Sequence, residues 1–225
     1  MTENELRQKA VNTFAPFMGA KRYSMEHERI LDAYNSISPL PRGFKMTTGY
    51  DYCAATVSAI GVLSGLADIF PLECSCTLHI QQLQKRGAWI ESDTYIPKPG
   101  DLIYYDWDDT GAGDDTGGPE HVGMVEKCDG KTITVMEGNT GGGFGRRTIA
   151  VGGRYIRGFG ALDYKSKSTT EDKPMNEMEQ AKQWAIENGI IQGYGDGNYG
   201  WDDPLTRKQF VTILFRLFKK GILKG

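Results

Sequence analysis

The chain has 225 residues, enough for one substantial core or for one core with a small appendage. Its net charge of −3 argues against a nucleic-acid binder, which usually carries a basic excess. No apolar run approaches the roughly 18 residues of a membrane span.

Cysteines and histidines are few in this sequence. The N-terminal residues lack the apolar stretch of a secretory signal, so we expect the four cysteines to be reduced thiols. Cys74 and Cys76 form a C-x-C pair, but no second pair completes a zinc site, and only three histidines are present. The sequence therefore predicts neither a metal nor a cofactor.

Four helical patterns lie in the first part of the chain, each with apolar residues at helical spacing. The first covers residues 4–18, and the second begins after Ser24, a residue type that caps helix N-termini. The third, residues 53–66, is apolar nearly all round, which is typical of a buried helix, and Asp51 is its candidate N-cap. The fourth covers residues 77–86 and ends at a glycine.

Strand patterns follow the helices. Their ranges are 88–90, 102–107, 121–127, 131–137, 146–149 and 155–162. Residues 108–120 are acidic and rich in glycine, and we interpret them as a solvated loop. The third and fourth of these strands matter most, because they carry candidate catalytic side chains.

The segment 121–139 is predicted to form a β-hairpin around the turn signal Asp129-Gly130. A two-residue loop would make His121 and Glu137 face opposite ways. A three-residue loop with a left-handed Gly130 would set His121 opposite Glu137, and the apolar pattern favours this register. It collects on one face, from the turn outward, Val125, Ile133, Val135, His121, Glu137 and Asn139.

Residues 165–174 are polar, charged and free of large apolar side chains, which predicts a linker. Two amphipathic helical patterns follow at residues 176–188 and 206–220, separated by a glycine-rich segment. Two helices in some fifty residues form only a marginal core. We therefore expect this segment to depend on the first domain or on other copies of itself.

Cys53 is the candidate nucleophile because it opens the most apolar helix. The unpaired N–H groups and positive dipole of a helix N-terminus favour a thiolate. His121 would act as general base toward Cys53 and as general acid toward a leaving amine. Glu137 would hold the imidazole, and Asn139 would orient it or polarise the substrate carbonyl. The alternative is that Cys53 is only a small buried residue.

Other residues near this set have more limited predicted roles. The backbone N–H of Cys53 is the natural oxyanion donor, and the Tyr52 side chain is a second candidate. An ionised Asp51 beside the sulfur would oppose the thiolate, so we expect its carboxylate to point at backbone N–H groups. We interpret His27 and His79 as structural, since each lies within a helical pattern beside polar neighbours.

Residues 1 to about 165 resemble a CHAP domain, the cysteine, histidine-dependent amidohydrolase/peptidase family, a papain-like relative of the NlpC/P60 enzymes. The similar stretches are DYCAATVSA, KPGDLIYYDW, PEHVGMVEK, TITVMEGN and GRRTIAVGGRYIRGFG. The resemblance implies an α+β fold, with N-terminal helices packed on an antiparallel β-sheet. It places the family's catalytic residues on Cys53, His121, Glu137 and Asn139.

The sequence departs from the CHAP pattern at two places. Many CHAP domains have a glutamine directly before the cysteine, where this chain has Tyr52. Some bind calcium through a D-x-D-x-Y loop, which the stretch MTTGYDYC lacks, so we expect no calcium here. Phage and prophage endolysins of Gram-positive bacteria are especially similar.

The C-terminal segment resembles one S-layer homology (SLH) repeat, over AKQWAIENGIIQGYGDGNYGWDDPLTRKQFVTILFRL. The two resemblances divide the chain into a catalytic domain at 1–165, a linker at 166–174 and a small all-α module at 175–225. The GYGDG turn of the repeat falls on residues 193–197.

SLH modules bind secondary cell-wall polymers, which are often anionic. The matching residues here are Trp184 and Arg207, and Arg207 is the expected anchor for an acidic sugar. The alternative is a helical hairpin that packs on the catalytic domain or joins copies of the chain into a homo-oligomer.

Together the resemblances imply an endolysin-type hydrolase acting on the peptidoglycan of Gram-positive bacteria. The bond would be MurNAc–L-Ala (amidase) or one within the stem or cross-bridge (endopeptidase), and both remain open. Trp107 and the 108–120 loop are expected to line the groove. Without an export signal, the protein is expected to stay in the bacterial host cytoplasm until it is released. The alternatives are a secreted autolysin or antibacterial toxin of the same chemistry, and a non-catalytic wall-binding protein.

Overall fold

The computed structural model describes residues 1–109, 117–169, 177–193 and 199–223. The chain divides into two compact units, residues 1–172 and residues 173–225. Within the described residues, no helix combines the length and the apolar character needed to cross a lipid bilayer.

Four α-helices of the first unit precede its sheet: α1 (Glu3–Phe14), α2 (Met25–Asn35), α3 (Cys53–Leu63) and α4 (Cys76–Lys85). The starts of α1, α2 and α4 are capped, because the side chains of Thr2, Ser24 and Ser75 each accept a backbone N–H bond. The predicted cap at Ser24 is thus confirmed. Helix α3 is the central one, and residues 53–61 are all buried, as its apolar sequence predicts.

Within the described residues, six strands form one sheet in the order β1-β6-β2-β3-β4-β5, and every neighbouring pair is antiparallel. The strands are β1 (Trp89–Ile90), β2 (Leu102–Tyr105), β3 (His121–Cys128), β4 (Thr132–Thr140), β5 (Gly143–Ala150) and β6 (Ile156–Gly160). Each overlaps a strand pattern of the sequence. The mixed α and β composition is therefore confirmed.

The register of the β3–β4 hairpin differs from the favoured prediction by two residues. Met124 lies opposite Met136, whereas the predicted register would have set it opposite Thr134. At the turn, Cys128 pairs with Ile133, which is three residues off the predicted register, and a bulge between Val125 and Lys127 then takes one of these residues back. Because the final difference is an even number of residues, the side-chain faces are unchanged.

Each face of the sheet contributes to a separate cluster of buried hydrophobic residues. Helix α3 packs on one face, against β3 and β4. Gly138 of β4 permits this close approach, since a Cβ at that position would overlap the Thr56 side chain of α3. The opposite face buries Ile103, Tyr105, Val125, Ile133, Val135, Ile156 and Phe159.

Part of the predicted linker belongs structurally to the first unit. Residues Lys165–Lys167 form a 3-10 helix, and Lys167 Nζ lies 2.6 Å from Asp68 Oδ2. The terminal amino group of Met1 donates to Thr169 Oγ1 at 3.0 Å. The rest of the linker, residues 170–174, lies outside the described residues.

The second unit contains α5 (Glu177–Glu187) and α6 (Arg207–Lys219). Arg216 of α6 connects this helix to the segment that follows α5, because its guanidinium donates to Ile190 O and to Gln192 Oε1 at 2.8 and 2.9 Å. Of the predicted GYGDG turn, only Gly193 lies within the described residues.

Candidate active site

The Cys53 thiol stands at the N-terminus of α3 and is 6% exposed. Tyr52 holds the N-cap position and makes no capping bond with its side chain. The predicted cap by Asp51 is wrong, since Asp51 Oδ1 accepts a hydrogen bond from Asn139 Nδ2 at 3.0 Å. The first-turn N–H groups of α3 are thus left for the sulfur or for a substrate oxygen.

A second thiol faces the first. Cys76 is the first residue of α4 and is buried, and its Sγ lies 3.8 Å from Cys53 Sγ. A thiol that donates a hydrogen bond to a neighbouring thiolate stabilises the ionised form. The C-x-C pattern drew attention to Cys76 only as a metal ligand. Its proximity to Cys53 depends on two helix starts meeting, which the sequence does not encode locally.

His121 and Glu137 lie together on one face of the hairpin, as the alternation of the strands predicts. His121 Nε2 is 3.4 Å from Glu137 Oε2, and the Glu137 side chain is fully buried. Gly123 makes room for this contact, because a Cβ there would overlap Val135 and come within 3.0 Å of Glu137 Cγ. Within the described residues neither His121 Nε2 nor Glu137 Oε2 makes a hydrogen bond, so the 3.4 Å approach is an ion-pair contact. Because Nε2 lies beside the carboxylate, Nδ1 is the ring nitrogen left for the Cys53 thiol.

Arg147 is the second partner of the buried Glu137 carboxylate. It lies on β5 opposite Val135, diagonal to Glu137, and its Nε donates to Glu137 Oε1 at 2.7 Å. Gly145 is directly opposite Glu137, so no side chain intervenes. The sequence reasoning missed this arginine. The only available signal was its place on the strand that follows the hairpin.

The electrostatic environment favours a thiolate–imidazolium pair. Interaction with Cys76, and then with His121, lowers the pKa of Cys53 well below its ordinary value, although burial opposes the shift. Burial would lower the pKa of His121, but its contacts with Cys53 and Glu137 outweigh that effect and raise the pKa to about 9. Burial raises the pKa of Glu137, yet His121 and Arg147 bring it below its usual range. Both shifts favour an anionic sulfur beside a cationic imidazole.

Two stacked aromatic rings lie against the imidazole of His121 and restrict its orientation. Tyr105 stacks against His121 with centroids 5.8 Å apart, and Trp107 stacks against Tyr105 at 4.8 Å. Trp107 is 37% exposed and borders a groove of about 310 Å³. The groove is lined by Trp107, His121, Asn139, Thr140, Gly141 and Arg147. In the predicted 108–120 loop, residues 110–116 lie outside the described residues.

The Tyr52 side chain is placed differently from the prediction. Its ring is fully buried and packs on His27 with centroids 4.1 Å apart. Its hydroxyl donates to Gly143 O at 3.1 Å. These contacts indicate a structural role for Tyr52, so the backbone N–H of Cys53 remains the candidate oxyanion donor.

The remaining histidines are core residues. His27 and His79 are both fully buried. His79 Nε2 lies 2.9 Å from Glu73 O, and burial lowers the pKa of His79 to about 4, so its ring is neutral. Among the described residues, no group of three His, Cys, Asp or Glu side chains is arranged as a metal site.

The two predicted wall-binding residues lie in the second unit. Trp184 of α5 is partly exposed, and Arg207 is the exposed first residue of α6. A cleft of about 780 Å³ lies beside α6, and among its lining residues are Trp201, Lys208 and Arg216. Trp184 and Arg207 do not line it.

Two parts of the chain match known protein families. Residues 45–139 match the CHAP domain. The matched range begins shortly before Cys53 and ends at Asn139, so it contains all four predicted catalytic positions. An S-layer homology domain is found at residues 183–211, a range that includes Trp184 and Arg207. Comparison with curated proteins and with solved structures found no significant match.

Proposed function

We propose that this protein is an endolysin-type peptidoglycan hydrolase that cuts an amide bond of the bacterial cell-wall peptide. The proposal is supported by the electrostatic interaction of the buried Cys53 thiol with His121, which lies 3.4 Å from the Glu137 carboxylate, within the range that matches the CHAP domain. A reactive cysteine beside an imidazole is the arrangement that nucleophilic acyl transfer requires.

In the first half of the reaction, the Cys53 thiolate attacks the amide carbonyl carbon. The carbonyl oxygen becomes an oxyanion, and the backbone N–H of Cys53 at the start of α3 donates to it. As the C–N bond breaks, the His121 imidazolium gives its proton to the leaving amine. The products are a free amine and a thioester on Cys53.

In the second half, water resolves the thioester. The now neutral His121 accepts a proton from the water, whose oxygen attacks the thioester carbonyl. Cys53 leaves as a thiolate, and the carboxylic acid product departs. Glu137 holds the ring throughout through the 3.4 Å contact with Nε2. Asn139 lines the same groove as His121, and because its Nδ2 donates to Asp51, its Oδ1 is the atom left for the imidazole or the substrate.

The test of this proposal is to identify the broken bond. Purified Gram-positive cell walls incubated with the protein should lose turbidity and release fragments with new amino termini. Mass spectrometry of the fragments separates an amidase, which frees the amine of L-Ala, from an endopeptidase, which opens the stem or cross-bridge. Walls that yield no new termini would contradict hydrolysis and favour a non-catalytic wall-binding protein. The same proposal includes the route to the wall. The protein would be released from the cytoplasm of a lysing host, and would not be secreted as an autolysin or toxin is.

A second function, wall binding by the C-terminal unit, is supported by the SLH match at residues 183–211. The lining of the cleft beside α6 includes Lys208 and Trp201, a cation and an aromatic ring suited to an anionic sugar polymer. Trp184 and Arg207 lie outside that cleft and would meet the polymer at the exposed surface. Assembly of several chains through this unit is compatible with such binding.

Deleting residues 170–225 is expected to reduce sedimentation of the protein with cell walls by about tenfold or more, because a tethered binding site raises the effective concentration at the wall. Cutting after Thr169 keeps its contact with Met1, so the first unit should remain intact. Hydrolysis of a small soluble muropeptide should then be largely unchanged. Equal sedimentation of the full and shortened chains would reassign the C-terminal unit to assembly or stability.

A further inference from the structure

We infer that Arg147 forms a subsite for a carboxylate of the wall peptide, beside the scissile amide. The inference rests on the proposed function and adds to it a preference for one chemical class of substrate. It is carried by the position of one guanidinium, which Glu137 and Trp107 fix and which borders the same groove as His121.

Two contacts fix the guanidinium. One edge is engaged by Glu137, since Nε donates to Oε1 at 2.7 Å. One face rests on aromatic rings, with Cζ 4.9 Å from the Trp107 centroid and 5.5 Å from that of Tyr105. An arginine held in this way loses little side-chain freedom when it binds a ligand.

The other edge of the guanidinium is available to a ligand. Within the part of the chain that the structure describes, Nη1 and Nη2 of Arg147 make no hydrogen bond, and the side chain is 36% exposed. Arg147 and His121 both line the groove of about 310 Å³. A substrate group at this edge would therefore lie near the reacting carbonyl.

A carboxylate is the ligand that this edge fits. Two parallel N–H donors on a planar cation match the two oxygens of a carboxylate, whereas a neutral amide offers only one acceptor. Other carboxylates near the groove already accept hydrogen bonds: Asp51 from Asn139, and Glu120 from the backbone N–H of Trp107 at 2.7 Å. Neither of these two carboxylates engages the Nη edge of Arg147, which stays available to a substrate carboxylate.

The test uses a matched pair of substrates. Once the cleaved bond is known, two synthetic muropeptides spanning it are prepared, one with free carboxylates in the residues flanking the bond and one with carboxamides there. For the wild-type full chain, we expect kcat/KM to be about tenfold or more higher for the carboxylate peptide, as hydrogen bonds to charged groups allow. Arg147→Gln should bring this ratio close to one.

The neighbouring arginine supplies the control. Arg146 points to the other face of β5 and pairs with Glu126 at 2.7 Å, so Arg146→Gln should keep the wild-type ratio. Arg147→Lys keeps the charge but loses the planar fork, so its ratio should fall between those of wild type and Arg147→Gln. Thermal unfolding of each variant checks that the chain still folds.

The possible outcomes distinguish a failure of the subsite proposal from a failure of the proposed hydrolase activity. Hydrolysis of both peptides by wild type at equal kcat/KM would overturn the subsite and leave the hydrolase proposal standing. A preference that persists in Arg147→Gln would also overturn it. Hydrolysis of neither peptide, together with intact cell walls, would overturn the proposed function itself.

Discussion

Cys53→Ala is expected to lower the rate of wall hydrolysis by on the order of 10⁴-fold or more, because removing a nucleophile removes the covalent pathway altogether. The substitution is small, and the site is already buried among apolar neighbours, so the fold should tolerate it. The measurement is the initial rate of turbidity loss of purified walls, followed by mass spectrometry of the soluble fragments.

Cys128→Ala is the matched control for that experiment. Cys128 is also a free thiol, but it ends β3 beside the hairpin turn, where its Sγ accepts from the Gly130 N–H at 3.4 Å. This variant should clear walls at the wild-type rate. Equal clearing by wild type and Cys53→Ala would eliminate the cysteine mechanism.

Glu137→Gln is expected to reduce kcat/KM by on the order of 10²-fold, at the lower end of what general acid–base groups contribute. The amide keeps the size of the side chain but removes the charge that favours the imidazolium. Glu137 is one of the groups that raise the pKa of His121 to about 9. Its loss lowers that pKa, so the basic limb of the kcat/KM profile should move from about pH 9 to lower pH.

The control for this variant is Glu126→Gln. Glu126 is on the same hairpin and also pairs with an arginine, Arg146, but at the surface and away from His121. Its substitution should leave the pH profile in place. A basic limb that stays at the wild-type pH in Glu137→Gln would mean that the carboxylate does not act on the imidazole.

The sequence placed His121 and Glu137 on one face of the hairpin because alternation in a strand survives an error in register. The favoured hairpin register was wrong by two residues, because the pairing at the turn is three residues off the predicted register and the bulge between Val125 and Lys127 takes one of them back. An even shift keeps every side chain on its face, so His121 and Glu137 were still expected together. A shift of one residue would have separated them.

What the sequence could not supply were contacts between distant elements. Cys76 reaches Cys53 only because the starts of α3 and α4 come together. Arg147 reaches Glu137 diagonally across β4 and β5, which requires the pairing of those strands to be known. Both were missed for that reason.

Local rules also failed where tertiary contacts compete with them. Asp51 is a good capping residue in isolation, yet its carboxylate accepts from Asn139 instead. Tyr52 directly precedes Cys53, where a side chain was expected to reach the oxyanion. Its ring is instead buried in the core of the first unit, and its hydroxyl donates to Gly143 O. In both cases a partner some ninety positions downstream decides where the side chain goes.

The most direct test of the thiolate–imidazolium pair is the rate of Cys53 alkylation by iodoacetamide as a function of pH, with the modified cysteine identified by mass spectrometry. The wild-type protein should react at Cys53 with an apparent pKa well below the ordinary thiol value of about 8.5, and His121→Ala should move that pKa upward. An apparent pKa at or above the ordinary thiol value, unchanged in His121→Ala, would contradict the pairing on which the proposed hydrolase depends.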